Sequence, residues 1–125
     1  MSKKSLSNLL TEVELEIMNI LWSLNEGSVR DVLAHLPEER NLAYTSASTM
    51  LRILEKKEIV RSRKDGKSHI YIPVLKKQDY EESTLSHVVS NIFDGTPSNL
   101  VKRLVNTSDL SDAEREEIKK ILAEL

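Results

Sequence analysis

Short hydroxyl side chains and cations share one face of a predicted helix near the middle of the chain. Between residues 45 and 57 the apolar side chains follow the i, i+3, i+4, i+7 spacing of a buried helical face, namely Ala47, Met50, Leu51 and Leu54. The opposite face carries a polar set, Thr45, Ser48, Thr49, Arg52 and Lys56. Serine and threonine favour helix less than the Glu, Lys and Gln that usually fill a solvated face. Because short donors and acceptors approach base edges closely, this face predicts a helix that enters the major groove of DNA.

A basic hairpin follows this helix. The segment from Val60 to Pro73 predicts two strands joined at Asp65-Gly66, because Asp-Gly suits a type I′ turn in which both central residues have positive φ. Residues 52–67 contain seven Lys or Arg against three acidic residues. We predict that four cations of this region contact DNA phosphates: Arg52, Arg63, Lys64 and Lys67. Charged hairpin edges also protect ordinary soluble proteins from aggregation, and the preceding helix favours nucleic acid over that explanation.

The side-chain inventory does not suggest an enzyme. The histidines (His35, His69 and His87) lack the spacing of metal ligands, and the chain has neither a nucleophile elbow nor a glycine-rich phosphate loop. The absence of cysteine excludes disulfides, thiolate metal sites and cysteine nucleophiles. We therefore expect no catalysis, no cofactor and no bound metal.

Composition and charge indicate two small domains. The chain has 125 residues, of which 30% are charged and 39% hydrophobic, as is typical of folded soluble proteins. No apolar run is long enough to span a bilayer, and no signal-peptide core begins the sequence, so we expect a cytoplasmic protein. Residues 1–74 carry eleven basic and ten acidic side chains, whereas residues 75–125 carry seven basic and ten acidic ones. This difference, with a linker predicted at 74–78, divides the chain into domains 1–74 and 75–125.

The first domain has the element order of a winged helix-turn-helix. Thr11 and Glu14 form a predicted capping box before an amphipathic helix that is apolar on two sides, and Gly27 ends it. Ser28 caps a second helix, which ends before Pro37. The polar-faced helix comes third and the hairpin last. The expected fold is therefore mainly α, with a small two-stranded wing.

The second domain is predicted to be all-helical and to pair with a second copy of the chain. Three short amphipathic helices in about fifty residues bury too little surface to fold alone, so they either pack on the first domain or dimerise. We favour dimerisation, because two copies can read two half-sites. The predicted interface residues share the apolar faces of these helices: Val88, Ile92, Leu100, Leu104, Ile118, Ile121 and Leu122.

The sequence resembles the penicillinase-repressor family of BlaI, MecI and CopY type. The resemblance lies in LTEVELEIMNILW (10–22), AYTSASTMLRILEKKEIV (43–60), DGKSHIYIP (65–73) and the tail NLVKRLVNTSDLSDAEREEIKKIL (99–122). It implies a winged-helix, homodimeric transcriptional repressor that binds an inverted-repeat operator. The family's recognition-helix positions correspond to Thr45, Ser46, Ser48 and Thr49. The polar helical face already contains three of these four, Ser46 rests on the resemblance, and Arg52 rests on the helical face.

Three departures change what the resemblance implies. Copper-responsive members hold metal through paired Cys-x-Cys motifs, so a chain without cysteine cannot sense copper by that route. Penicillinase-type members are inactivated when the signal of a membrane sensor-protease leads to cleavage of an Asn-Phe bond. The aligned bond here is Arg103-Leu104, whose cleavage needs a different specificity. Glu58 stands where the family usually has glycine after the third helix, which predicts a less tight turn.

A winged helix that binds proteins rather than DNA is the main alternative, because fold does not determine function. Such a module would expose apolar side chains on the third helix. Ile53 is the residue that supports it, whereas the hydroxyls and the cationic wing favour DNA.

Overall fold

The structure is a computed structural model, and it describes residues 9–107 and 109–125. Its elements follow in the order α1 (Glu12–Leu24), α2 (Val29–His35), a 3₁₀ turn (Glu38–Arg40), α3 (Tyr44–Lys56), β1 (Val60–Asp65), β2 (Ser68–Pro73), α4 (Lys77–Ile92), α5 (Pro97–Asn106) and α6 (Asp112–Ala123). The predicted order of three helices followed by a two-stranded wing, residues 60–73, is confirmed. The chain divides into two compact units between Ser83 and Thr84. The first unit thus includes the start of α4, and separate domains 1–74 and 75–125 stay a prediction.

Reciprocal capping begins α1 and α2. Thr11 Oγ1 accepts a hydrogen bond from the Glu14 N–H at 3.2 Å, and Glu14 Oε1 accepts one from the Thr11 N–H at 2.9 Å. Ser28 and Asp31 repeat this arrangement at α2, with distances of 3.1 and 2.9 Å. The predicted helix starts are confirmed, because each capping side chain satisfies an N–H that has no partner within its helix.

The core of the first unit lies between α1, α2, α3 and the wing. Its helical side chains with no exposed area are Ile17, Met18, Leu21, Val32, Ala47, Leu51 and Leu54. Val60 and Tyr71 extend this core onto the sheet. Ile17 and Met18 belong to the two different apolar faces of α1, so the prediction that α1 is covered on both sides is confirmed.

Trp22 fastens the chain that follows the wing to α1. Its indole Nε1 donates a hydrogen bond to the Leu75 carbonyl at 2.9 Å, and its ring centroid lies 6.0 Å from that of Tyr80. The hydroxyl of Tyr80, at the start of α4, accepts a hydrogen bond from the Leu10 N–H at 3.1 Å. Trp22 is therefore a packing residue, and the first unit continues beyond the wing.

The turn of the wing lies one residue later than predicted. Asp65 pairs with Ser68, which leaves Gly66 and Lys67 as the two turn residues. Gly66 has a φ of 66°, whereas Asp65 and Lys67 do not have positive φ. This is the φ pattern of a type II′ turn, which requires glycine at its first central position. The predicted type I′ turn at Asp65-Gly66 is wrong, because glycine suits both turns and the dipeptide does not distinguish them.

The end of α3 closes tightly although glycine is missing there. Glu58 adopts a left-handed conformation with φ of 66°. Its N–H donates to the Glu55 carbonyl at 2.9 Å, and the Ile59 N–H donates to the Leu54 carbonyl at 2.9 Å. These two bonds form a Schellman motif, which usually places glycine at the left-handed position. The expectation of a less tight turn is wrong, and the cost is a strained backbone at Glu58.

The second unit comprises the end of α4 with α5 and α6. Arg115 Nη1 donates to the Val105 carbonyl at 2.6 Å, which joins α6 to the last turn of α5. In residues 84–107 and 109–125 the hydrophobic side chains are half-buried or exposed, and none reaches the burial of the first unit's core. The helices of the described chain are all too short or too polar to cross a membrane.

Candidate nucleic-acid interface

The four residues predicted to contact bases lie in the first two turns of α3. Thr45, Ser46 and Thr49 are exposed and Ser48 is half-buried. On the other side of the helix, Ala47, Leu51 and Leu54 are completely buried, so the burial pattern itself directs the hydroxyls outwards. The structure thus brings these side chains together on one accessible surface.

Ion pairs link α1 to the residues that precede and follow α3. Before α3, the Arg40 guanidinium binds Glu16 through two bonds, Nε to Oε1 at 2.8 Å and Nη2 to Oε2 at 2.7 Å. This pairing lowers the pKa of the Glu16 carboxyl below its usual value. After α3, Lys57 Nζ lies 3.0 Å from Oε2 of Glu14, whose side chain is only 6% exposed. The residues that precede and follow α3 are therefore both linked to α1.

A cleft of about 500 Å³ lies between α2, α3 and the wing. Arg30 lines it from α2, Arg52 from α3, and Lys67 with His69 from the wing. The guanidinium of Arg30 also lies 5.7 Å from the centroid of the Tyr44 ring, a cation–π distance. Three cations from three elements thus surround one concave surface beside the hydroxyl face of α3.

Arg30 and Tyr44 are residues of this surface that sequence reasoning missed. Arg30 lies in α2, outside the basic segment 52–67, and becomes relevant only because α2 and α3 are neighbours in the fold. Tyr44 is the first residue of α3 and is half exposed. A helical projection started at Tyr44 would have placed it one turn before Ser48, and this was the available signal.

The inner wall of the cleft is a buried tyrosine. Only 4% of the surface of Tyr71 is exposed to solvent. Burial raises its pKa, and the nearby Glu55 carboxylate raises it further. Glu55 in turn accepts a hydrogen bond from Ser62 Oγ at 2.8 Å, which joins α3 to β1.

The wing cations lie on two different faces of the hairpin. Ser62, opposite Tyr71, and Lys64, opposite His69, share the face towards α3. Since side chains alternate along a strand, Arg63 points to the other face. There Arg63 Nη2 lies 2.6 Å from Glu26 Oε2. The predicted phosphate contacts are thus divided. Arg52 lies on α3 and Lys64 and Lys67 lie near it, whereas Arg63 is paired with Glu26 on the other face of the hairpin.

Glu26 was also missed from the sequence. It lies 37 residues before Arg63, in a turn that carried only a helix-end signal.

The residues predicted for dimerisation lie on the helices of the second unit and remain accessible. Ile92, Leu104, Ile121 and Leu122 are among the exposed large hydrophobic residues. The three others are half-buried, namely Val88, Leu100 and Ile118. The Arg103-Leu104 bond lies inside α5, with both side chains exposed.

Comparison with known proteins identifies the family of this chain. The sequence model of the penicillinase repressor family matches residues 10–124. The chain belongs to this family. It is 26% identical to the methicillin resistance regulatory protein MecI of Mammaliicoccus sciuri over 113 residues, 90% of this chain and 92% of MecI. It is also 26% identical to the penicillinase repressor of Bacillus licheniformis over 115 residues, 92% of this chain and 90% of that one.

A solved relative supports the fold. The solution structure of the DNA-binding domain of the repressor BlaI superposes with a TM-score of 0.51 at 27% identity, covering 57% of this chain and 87% of that domain. The winged-helix fold and the resemblance to penicillinase repressors are therefore confirmed. Members of the penicillinase repressor family are transcriptional repressors and not enzymes. Within residues 9–107 and 109–125, no group of three or more His, Asp or Glu is arranged to hold a metal ion.

Proposed function

We propose that this penicillinase-repressor relative is a homodimeric, sequence-specific repressor that binds an inverted-repeat operator through α3 and the wing. The hydroxyl face of α3, bordered by a cleft with cations from three elements, is the observation that carries this proposal. DNA presents base edges in the major groove and phosphates on both sides of it, so one surface with both kinds of group matches it.

The side chains divide into two roles. Base edges and thymine methyl groups are contacted by Thr45, Ser46, Ser48 and Thr49. Phosphates are contacted by Arg52, Lys64 and Lys67, with Arg30 as an addition from α2. For Arg63, the Glu26 carboxylate competes with a phosphate, because its Oε2 lies 2.6 Å from Arg63 Nη2.

Dimerisation through the second unit supplies the second copy of α3. The support is the accessible apolar surface of α4, α5 and α6. Among its described residues, this unit has no core of buried hydrophobic side chains. Burial of these exposed aliphatic side chains in an interface stabilises association, since each contributes about 1.5–3 kcal/mol when it is fully buried. A symmetric dimer then positions two α3 helices for two half-sites.

Relief of repression follows from cleavage in the second unit, downstream of a membrane sensor-protease. The Arg103-Leu104 bond lies inside α5, so a protease needs the helix to unfold locally before it can cut. The side chain of Thr96 makes no capping hydrogen bond at the start of α5, which leaves this helix less stabilised at that end.

The test is binding of the purified protein to its own upstream DNA and to a scrambled duplex across a salt series. Tight, selective binding with a steep salt dependence is expected, because several phosphates are neutralised. Weak and unselective binding at every salt would contradict the proposal. It would favour the protein-interaction alternative, for which the 42% exposure of Ile53 on α3 is the supporting observation.

A further inference from the structure

Arg63 of the wing and Glu26 of the turn between α1 and α2 form an ion pair at the protein surface. The 2.6 Å between Arg63 Nη2 and Glu26 Oε2 is a hydrogen-bond distance, and the two side chains remain 49% and 45% exposed. The backbone on both sides of Glu26 is held in place. Asn25 is left-handed with φ of 76°, and Gly27 exchanges two backbone hydrogen bonds with Tyr71 of β2, at 3.0 and 2.7 Å. The Glu26 carboxylate is therefore kept beside the wing.

This carboxylate engages Nη2 of the guanidinium with which Arg63 would bind DNA. Carboxylate and phosphate oxygens accept from the same N–H fork of a guanidinium, so the two compete for the Nη2 edge of Arg63. The other predicted phosphate contacts differ in this respect. Within the part of the chain that the structure describes, Arg52, Lys64 and Lys67 form no ion pair.

We propose that Glu26 is an intramolecular competitor for phosphate at Arg63 and weakens the binding of DNA of every sequence. This inference rests on the DNA binding proposed above. A phosphate that binds Arg63 displaces Glu26. The Glu26 charge then remains within about 10 Å of that phosphate, roughly the screening length at 0.1 M salt, and repels it. Because the contact is to the DNA backbone, cognate and random DNA are weakened by the same factor. An exposed pair of this kind corresponds to about a two- to fivefold change in Kd.

The first experiment replaces the carboxylate without changing its size. Glu26→Gln should bind the cognate and a random duplex about two- to fivefold more tightly, because Arg63 is then available to phosphate. The slope of the logarithm of its binding constant against the logarithm of the salt concentration should be steeper by about one, the value for one more phosphate contact. Glu39→Gln is the matched control. It removes one negative charge from an exposed residue of the 3₁₀ turn that forms no ion pair among the described residues.

The second experiment tests whether the effect passes through Arg63. In an Arg63→Gln background, the further change Glu26→Gln should alter Kd by less than about twofold, since the pair no longer exists. Persistence of the full gain in that background, or an equal gain in Glu39→Gln, would overturn the proposal in favour of a general charge effect. Weaker binding by Glu26→Gln would also overturn it, because the carboxylate would then be positioning Arg63 for contact.

Failure of the competitor role and failure of the repressor function give different binding results. If wild type binds DNA but Glu26→Gln shows no gain, the competitor role alone is wrong. If neither wild type nor Glu26→Gln binds any duplex at low salt, the repressor function proposed above is wrong as well.

Discussion

Glu14 Oε2 lies 3.0 Å from Lys57 Nζ and so joins the first turn of α1 to the residue that ends α3. The same carboxylate accepts a hydrogen bond from the Thr11 N–H. One nearly buried side chain thus completes a capping box at the start of α1 and contacts the residue that follows α3.

Replacing Glu14 should lower stability in a pH-dependent way. Burial raises its pKa, but the Thr11 N–H and Lys57 together outweigh burial and lower it below the usual value. A lowered folded-state pKa means stability that is present above the unfolded value, about 4.3, and is lost as pH falls through the folded pKa. Glu14→Gln should lose about 1 kcal/mol in urea unfolding at pH 7, since Lys57 is partly solvated.

This loss should shrink as pH falls below the unfolded value and vanish below the lowered folded pKa, where both states bind the proton. Glu39→Gln is the control, because Glu39 is exposed and forms no ion pair among the described residues. A difference between wild type and Glu14→Gln that stays constant from pH 7 to 3 would contradict the ionic role of Glu14.

Glu58→Gly should stabilise the first unit. Glu58 has a positive φ that costs an L-residue roughly 1 kcal/mol and costs glycine almost nothing. We expect a gain of about 1 kcal/mol in the free energy of unfolding. Glu58→Ala removes the same charge but keeps the Cβ, so it should bring no comparable gain. Equal gains in the two variants would assign the effect to charge and not to backbone strain.

Thr49→Ala and Lys67→Ala should separate base contact from phosphate contact. Thr49→Ala should lose about 1–3 kcal/mol on the cognate operator and little on random DNA. Lys67→Ala should weaken binding to cognate and random DNA alike. It should also reduce the slope of log K against log salt concentration by about one. Lys120→Ala, in the second unit, is the charge control. Equal losses on cognate and random DNA for Thr49→Ala would remove Thr49 from the base contacts.

A fragment that ends at Ser83 should be monomeric and more stable than one that ends at Val74. The shorter fragment lacks both the Leu75 carbonyl that accepts from Trp22 and the buried ring of Tyr80. One hydrogen bond and one aromatic side chain correspond to about 2–3 kcal/mol, measurable by urea unfolding. If the longer fragment sediments as a dimer, the second unit is not the dimerisation unit.

Leu122→Asp should prevent the dimerisation proposed for the full-length chain. A charge placed in an apolar interface stays unpaired and costs several kcal/mol, so the variant should sediment as a monomer and bind operator weakly. Ala113→Asp is the control, because Ala113 is exposed on the opposite side of α6. A dimeric Leu122→Asp protein would place the interface elsewhere.

Local patterns were sufficient for the helices but not for the contacts between distant residues. The apolar spacing of Ala47, Leu51 and Leu54 predicted the buried side of α3, and Thr11 with Glu14 predicted where α1 begins. Both are signals within one or two turns. The wing turn was misplaced because Gly66 suits a type I′ turn and a type II′ turn alike.

Pairs that are far apart in sequence had no local signal at all. Arg63 meets Glu26 only because the turn after α1 pairs with β2, the strand next to β1. Arg30 meets Tyr44 only because α2 packs against α3. A count of positive charges along the sequence treats Arg63 and Lys64 as equivalent, whereas strand alternation and one carboxylate make them different.

Trp22 is the one tryptophan of the chain, and its indole is bonded to Leu75 and lies close to Tyr80. The tryptophan fluorescence of the protein therefore comes from a single position in α1, beside the segment through which the chain leaves the wing and enters α4. Detachment of that segment would expose the indole to water and shift its emission to longer wavelength. The repressor thus carries a built-in optical reporter for the junction after its wing, which can be followed without any label.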